Sequence, residues 1–112
     1  MERVFSAFFN SLKGFKSAWR SEAAVRQEVI GISLLTVVAC FMPFDTVERY
    51  LVILSMFIVL LVELLNSAIE AVVDRVGTEW HELSGQAKDI ASAAVLLSIL
   101  VSAFTWGYFL IN

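Results

Sequence analysis

Four polar residues, Glu63, Asn66, Glu70 and Asp74, recur at helical spacing directly after an uncharged apolar run from Tyr50 to Val62. On a helix turning about 100° per residue they fall within roughly 80° of one another. Three carboxylates and an amide therefore form one stripe on an otherwise apolar rod. A carboxylate at the centre of a bilayer costs roughly 2.5–3.5 kcal/mol on insertion scales, and more on others. Such a stripe must face protein, a metal or a water-filled cavity, so it reads as a site.

The elements that position it belong to a small, apolar chain. Of 112 residues 59% are hydrophobic and 17% charged, and the mean hydropathy is +0.80. Soluble domains average roughly 45–50% apolar and about 25% charged, so the composition is that of a single membrane domain. One Pro and five Gly leave no flexible linker. A net charge of −3 and a pI near 5.0 argue against nucleic acid as a partner. Cys40 is alone and cannot form an intramolecular disulfide. The first residues alternate charged and apolar side chains and do not read as a signal peptide.

Taken in order, residues 2–20 place Val4, Phe5, Phe8, Phe9, Leu12, Phe15 and Trp19 on one helical face and Arg3, Asn10, Lys13, Ser17 and Arg20 opposite. That is an amphipathic helix suited to lie in the plane of an anionic membrane surface; a soluble helix packed on a core fits less well, because little soluble core exists. Ser21 or Ser17 opens the next segment. Residues 23–43 form a first span ended by Pro43, and Glu22 and Arg26 stand at i,i+4, the spacing of a surface ion pair. Pro43 to Thr46 is a tight turn with Asp45 or Thr46 as helix cap. A second span, 47–76, is about 45 Å long and exceeds the hydrocarbon thickness. Glu70 and Asp74 then sit at the interface, Glu63 lies roughly 10 Å inside, and Gly77 stops the helix. Thr78 to Gln86 read as a polar connection, and a third span covers 87–111, with Trp106 and Tyr108 near its far end. Arg3, Lys13, Lys16, Arg20, Arg26, Arg75 and Lys88 fall on one side of the membrane and only Arg49 on the other. The positive-inside rule makes the first side cytoplasmic, N-terminus included.

The chemistry available is narrow. There is no phosphate-binding glycine loop, no His/Cys set with zinc spacing, and His81 is the sole histidine. Carboxylates and one lysine on the cytoplasmic side remain. Hard oxygen ligands suit Mg²⁺, and phosphoryl transfer needs a metal, a cation on the phosphates and a base at the attacking hydroxyl. Glu70 with Glu22 suits the metal and Lys88 the phosphate. Glu63, deeper and desolvated, suits the proton acceptor. A hydroxyl within its reach lies below the headgroups, where a lipid alcohol presents one. Intramembrane carboxylates also serve transporters and proton paths, so a lipid-directed enzyme, a transporter and a structural assembly all stay open on these grounds.

The stretch Glu63-Leu64-Leu65-Asn66-Ser67-Ala68-Ile69-Glu70-Ala71-Val72-Val73-Asp74 resembles the signature of the prokaryotic diacylglycerol kinase family. The likeness extends over the whole chain, through Glu22-Ala23-Ala24-Val25-Arg26-Gln27-Glu28 and His81-Glu82-Leu83-Ser84-Gly85-Gln86-Ala87-Lys88-Asp89. It implies an all-α membrane protein: an N-terminal amphipathic surface helix plus three transmembrane helices in a homotrimeric bundle of the bacterial inner membrane. The implied activity is MgATP-dependent conversion of diacylglycerol into phosphatidic acid, at active sites shared between subunits. Carried over by position, Glu63 is the general base, and Glu22 and Glu70 bind the metal and so the nucleotide. Asn66, Lys88 and Asp89 position phosphates, while Arg3, Asn10, Glu79, Trp80 and His81 contact ATP. Arg3, Trp19, Ala24, Val25, Arg26, Gln27, Glu28 and Ser92 contact the lipid. Two positions depart from the family's habit: Trp80 stands where Tyr is common, keeping a flat face for stacking, and Asn10 stands where an aromatic is common, losing one.

Relatives of the same fold that phosphorylate undecaprenol are the nearest alternative, and Glu82-Leu83-Ser84-Gly85 resembles the diacylglycerol type more. A small carboxylate-dependent transporter is the rival of another class, but it wants its carboxylate near mid-membrane with access from both sides. Three helices cannot cover a polar stripe on every side, which is a separate motive for trimerisation.

Overall fold

In the computed structural model, which describes residues 1–77 and 79–112, four helices follow one another. They are α1 (Glu2–Ser21), α2 (Ala23–Phe41), α3 (Thr46–Val76) and α4 (Glu82–Ile111). Thr78, the first residue of the expected polar connection, lies outside the described residues.

No residue of α1 is buried. Its apolar face, from Val4 and Phe5 to Phe15 and Trp19, is between 42% and 67% exposed. That much aromatic surface without protein cover matches a helix whose solvent on one side is lipid. The polypeptide leaves α1 through one extended residue, Glu22, at φ −120° and ψ 108°. Ser21 does not open α2; its hydroxyl donates back to the Ser17 carbonyl at 2.8 Å. Nor does Arg26 pair with Glu22: its guanidinium donates to the Trp19 and Arg20 carbonyls at 2.6 and 3.1 Å. A helix end leaves such carbonyls without partners, and that local demand outweighs a weak i,i+4 ion pair.

Helix α2 has 19 residues, a length of about 28 Å, enough for the hydrocarbon. It ends two residues before the expected Pro43, because the residue preceding a proline is pushed out of the helical region; Met42 is extended at ψ 152°. Asp45 then caps α3 in a reciprocal box: its side chain accepts from the Glu48 amide, and the Asp45 amide donates to the Glu48 carboxylate, both at 2.8 Å. Arg49 reaches back to close the turn. Its guanidinium donates to the carbonyls of Ala39, Met42 and Phe44 at 3.1, 3.3 and 2.9 Å.

Helix α3, with 31 residues, is about 46 Å long and outruns the bilayer. It stops at Gly77 in an extended conformation, φ 173°. Helix α4 begins at Glu82, five residues before the expected Ala87. His81 caps it, Nδ1 accepting from the Leu83 amide at 3.1 Å, and Glu82 meets the positive end of the helix dipole. The stretch from Glu82 to Gln86 is polar, yet Glu, Leu and Gln are good helix formers; polarity there marks exposure to water and not a loop.

The apolar core of the chain sits at the Pro43 end. Ala39, Phe44 and Val52 are buried there, with Met42, Ile53, Trp106 and Phe109 packed against them. The Phe44 ring meets Trp106 edge-on, centroids 5.9 Å apart. Trp106 thus packs inside the helix bundle, while Tyr108 is exposed. Helices α3 and α4 are joined further along by a buried Ser55–Ser102 hydrogen bond of 3.0 Å, small side chains letting the two backbones approach.

The Arg49 clamp generates a stability prediction. Arg49→Gln should lower resistance to unfolding by about 1–2 kcal/mol, since charge-assisted bonds are lost but water can reach part of the freed carbonyls. Arg49→Lys should lose less. SDS titration in mixed micelles reads this out; an unchanged midpoint for Arg49→Gln contradicts a role for the clamp.

Candidate functional site

Exposure rises along the predicted stripe in the order its depth requires. Glu63 is 6% exposed and Asn66 8%, Glu70 is half-buried, and the Asp74 side chain is 62% exposed. A helix crossing from hydrocarbon into water does this when one face is turned towards protein. The deepest carboxylate is also the best enclosed.

Around Glu63 the acidic groups converge. The charges of Glu70 and Glu22 act on it, and its own charge acts on Glu28 from α2. Asn66 Nδ2 donates to Glu70 Oε1 at 3.0 Å, fixing that carboxylate along the same face of α3. Asn66 Oδ1 and one oxygen of Glu28 are buried without a hydrogen-bond partner. Polar atoms left so are few in folded proteins; Asn66 is one turn from Glu63 on α3, and Glu28 is close enough for the charge of Glu63 to act on it. Among the described residues no three His, Cys, Asp or Glu side chains form a protein-only metal cage.

Glu22, at the α1–α2 junction, joins Ser11, Ser17, Ser67 and Ala71 in lining a groove of about 410 Å³ between α1 and α3. The small residues of both helices open it. Ser67, one turn beyond Glu63, is buried at 9% and its hydroxyl is unpartnered. Sequence spacing could have found it, since position 67 is i+4 from Glu63, but a serine in an apolar helix carries little signal of its own.

A second cavity, about 560 Å³, opens at the end of the bundle opposite Pro43, where Asp74, Glu79, Trp80, His81, Gly85 and Lys88 line it. Lys88 Nζ donates to Asp74 Oδ1 at 2.8 Å, an ion pair between α3 and α4. Trp80 is 87% exposed, its ring free to stack. His81 has Nδ1 committed to capping α4, which leaves Nε2 for other contacts.

The remaining predicted residues scatter. Arg3 and Asn10 are exposed on α1 and line neither cavity. Trp19, Ala24 and Gln27 are exposed and Arg26 and Glu28 half-buried. Val25 is 1% exposed; its side chain packs inside the bundle and does not face a lipid. Asp89 and Ser92 are exposed on α4. A single chain thus assembles Glu22, Glu28, Glu63, Asn66 and Glu70 in one region and Asp74, Glu79, Trp80, His81 and Lys88 in another.

Chemically, the first region offers oxygen ligands and a desolvated base, and the second a cation beside a flat aromatic surface. Both are carried on or beside α2, α3 and α4, which are all long and apolar enough to cross a membrane, as in a multi-pass membrane protein. Comparison with known proteins identifies the family. The model of the prokaryotic diacylglycerol kinase family matches residues 9–110. A diacylglycerol kinase of Escherichia coli (strain K12) is 53% identical over 104 residues, spanning 93% of this chain and 85% of that protein. A diacylglycerol kinase of Helicobacter pylori (strain J99) is 44% identical over 111 residues, spanning 99% of this chain and 87% of that protein. One of Pseudomonas aeruginosa is 45% identical over 112 residues, spanning 100% of this chain and 91% of that protein. The chain belongs to the prokaryotic diacylglycerol kinase family and is an enzyme of that family.

Proposed function

We propose that this enzyme transfers the γ-phosphoryl group of ATP to the free hydroxyl of diacylglycerol, giving phosphatidic acid, at the cytoplasmic face of the bacterial inner membrane. The observation that carries the proposal is Glu63: a carboxylate 6% exposed, on the membrane part of α3, with the charges of Glu22 and Glu70 acting on it. Below the headgroups the hydroxyl available to such a group belongs to an amphiphile, and the relatives are named for diacylglycerol.

Glu63 accepts the hydroxyl proton as the lipid oxygen attacks the γ-phosphorus and ADP leaves. Its enclosure excludes bulk water, which would otherwise compete for the phosphoryl group. Asn66 holds Glu70 at 3.0 Å, so the two act as one oriented unit. Glu22 and Glu70 offer oxygen donors only, which suit Mg²⁺, an ion that takes one or two carboxylates and completes its shell with phosphate and water. When bound, Mg²⁺ supplies charge neutralisation on the phosphate oxygens. Lys88 meets the phosphates, with Asp89 beside it, and Trp80 and His81 meet the adenine end. Arg3 and Asn10 join the nucleotide, and Arg3, Trp19, Ala24, Arg26, Gln27, Glu28 and Ser92 the lipid, once neighbouring subunits complete the site.

That completion motivates a homotrimer. In one protomer the groove at Glu22 and the Lys88 cavity are each open, and the flat protomer, with principal extents of 50 × 40 × 22 Å, leaves Glu70 half-covered and Asp74 exposed. The clustered bases put the N-terminus and the α3–α4 connection in the cytoplasm. A transporter would want access from both sides, whereas the far end here is filled by Phe44, Trp106 and Phe109.

Three outcomes test the proposal. Glu63→Gln should assemble as the parent does yet lose at least about a hundredfold in turnover, the scale of a general base; wild-type turnover with MgATP and diacylglycerol in detergent refutes the base. Glu70→Gln should shift the Mg²⁺ dependence to higher concentration; an unchanged titration refutes the ligand role. Offered diacylglycerol and undecaprenol under matched conditions, the enzyme should prefer diacylglycerol, and the reverse preference reassigns the lipid.

A further inference from the structure

We infer that Asp74 is a positioning residue for the nucleotide: it tethers Lys88 on the wall of the cavity shared with Glu79, Trp80 and His81, so that the ammonium is presented to phosphate. The inference rests on the phosphate contact proposed above for Lys88 and adds a residue to which that proposal gives no role.

Lysine is a point charge on a long flexible stem, and fixing it costs side-chain entropy. Unheld, Lys88 would sweep a wide arc at the mouth of the cavity. Asp74 Oδ1 holds Nζ at 2.8 Å, taking one of three ammonium donors and leaving two for a ligand. The Lys88 side chain is still 44% exposed, so those two remain reachable. Asp74 and Lys88 both line the cavity, which places the bond at a binding surface and not behind it.

A purely structural role explains the pair poorly. Exposed ion pairs add little to stability, and Asp74 is 62% exposed. The α3–α4 contact is already secured by the buried Ser55–Ser102 bond and by buried Ala91 and Ser98. Orientation is what a solvent-exposed carboxylate can still supply. Its cost, partial cancellation of the lysine charge, is outweighed when a multiply charged phosphate chain arrives.

The test is steady-state kinetics of the full-length enzyme in mixed micelles, varying MgATP at saturating diacylglycerol and the reverse, for wild type, Asp74→Ala, Asp74→Asn, Lys88→Met and the double variant Asp74→Ala/Lys88→Met. Asp74→Ala should raise KM for MgATP about fivefold, the upper range for an exposed pair, with kcat within about twofold and KM for lipid unchanged. Asp74→Asn retains an acceptor oxygen and should lie nearer wild type. In the Lys88→Met background the Asp74 change should add nothing. A KM for MgATP that is unchanged or lower in Asp74→Ala overturns the inference, as does an equal rise with Lys88 already removed, or a parallel rise in both KM values. If Lys88→Met itself leaves KM for MgATP unchanged, the phosphate contact fails and the tether loses its purpose. If it raises KM while Asp74→Ala does not, only the tether fails.

Discussion

Placing an ionisable side chain where lipid tails should be constrains every other part of this molecule. The cost of a carboxylate in hydrocarbon is several kcal/mol unless protein, water or a cation receives it. Glu63 meets that constraint by facing inward from α3, and the rest of the helix follows. Asn66 is enclosed on the same face, and Glu70 and Asp74 emerge as the helix nears water. Helix α1 covers one flank through Ser11, Ser17 and the Glu22 junction, while α2 brings Glu28 from another side. Asn66 Oδ1, Ser67 Oγ and one Glu28 oxygen remain buried without hydrogen-bond partners.

The two ends of the bundle are built for opposite purposes. At the Pro43 end, Phe44, Val52, Trp106 and Phe109 pack a dry core, and Arg49 ties off the α2 carbonyls. At the other end the side chains are polar, the cavities are open and an ion pair links α3 to α4. Rigidity at one end and access at the other suit an enzyme that draws its nucleotide from water and its second substrate from the bilayer.

Much of this was legible in the sequence because the membrane simplifies the code. Apolar runs bounded by charge mark spans, so α1 to α4 and the orientation of the stripe followed from periodicity alone. What periodicity missed were local demands. Hydrophilic residues up to Gln86 read as a loop, whereas His81 caps a helix already under way at Glu82. The unpaired carbonyls of Trp19 and Arg20 take Arg26 away from Glu22. Val25, which the family resemblance gives to the lipid, is enclosed. Ser67 carries little signal of its own, and the Asp74–Lys88 bond joins residues fourteen positions apart, beyond the reach of local spacing.

The single residue between α1 and α2 has a mechanical consequence. Hydrogen bonds run through it on both sides, the Glu22 amide to Ala18 and the Arg26 amide to the Glu22 carbonyl, so the loose torsions between the two rods are those of Glu22 itself. Any rocking of the surface helix against the first span must be absorbed at that α-carbon. The carboxylate proposed for the metal therefore rides on the joint, and any change in the tilt of α1 moves that side chain with it.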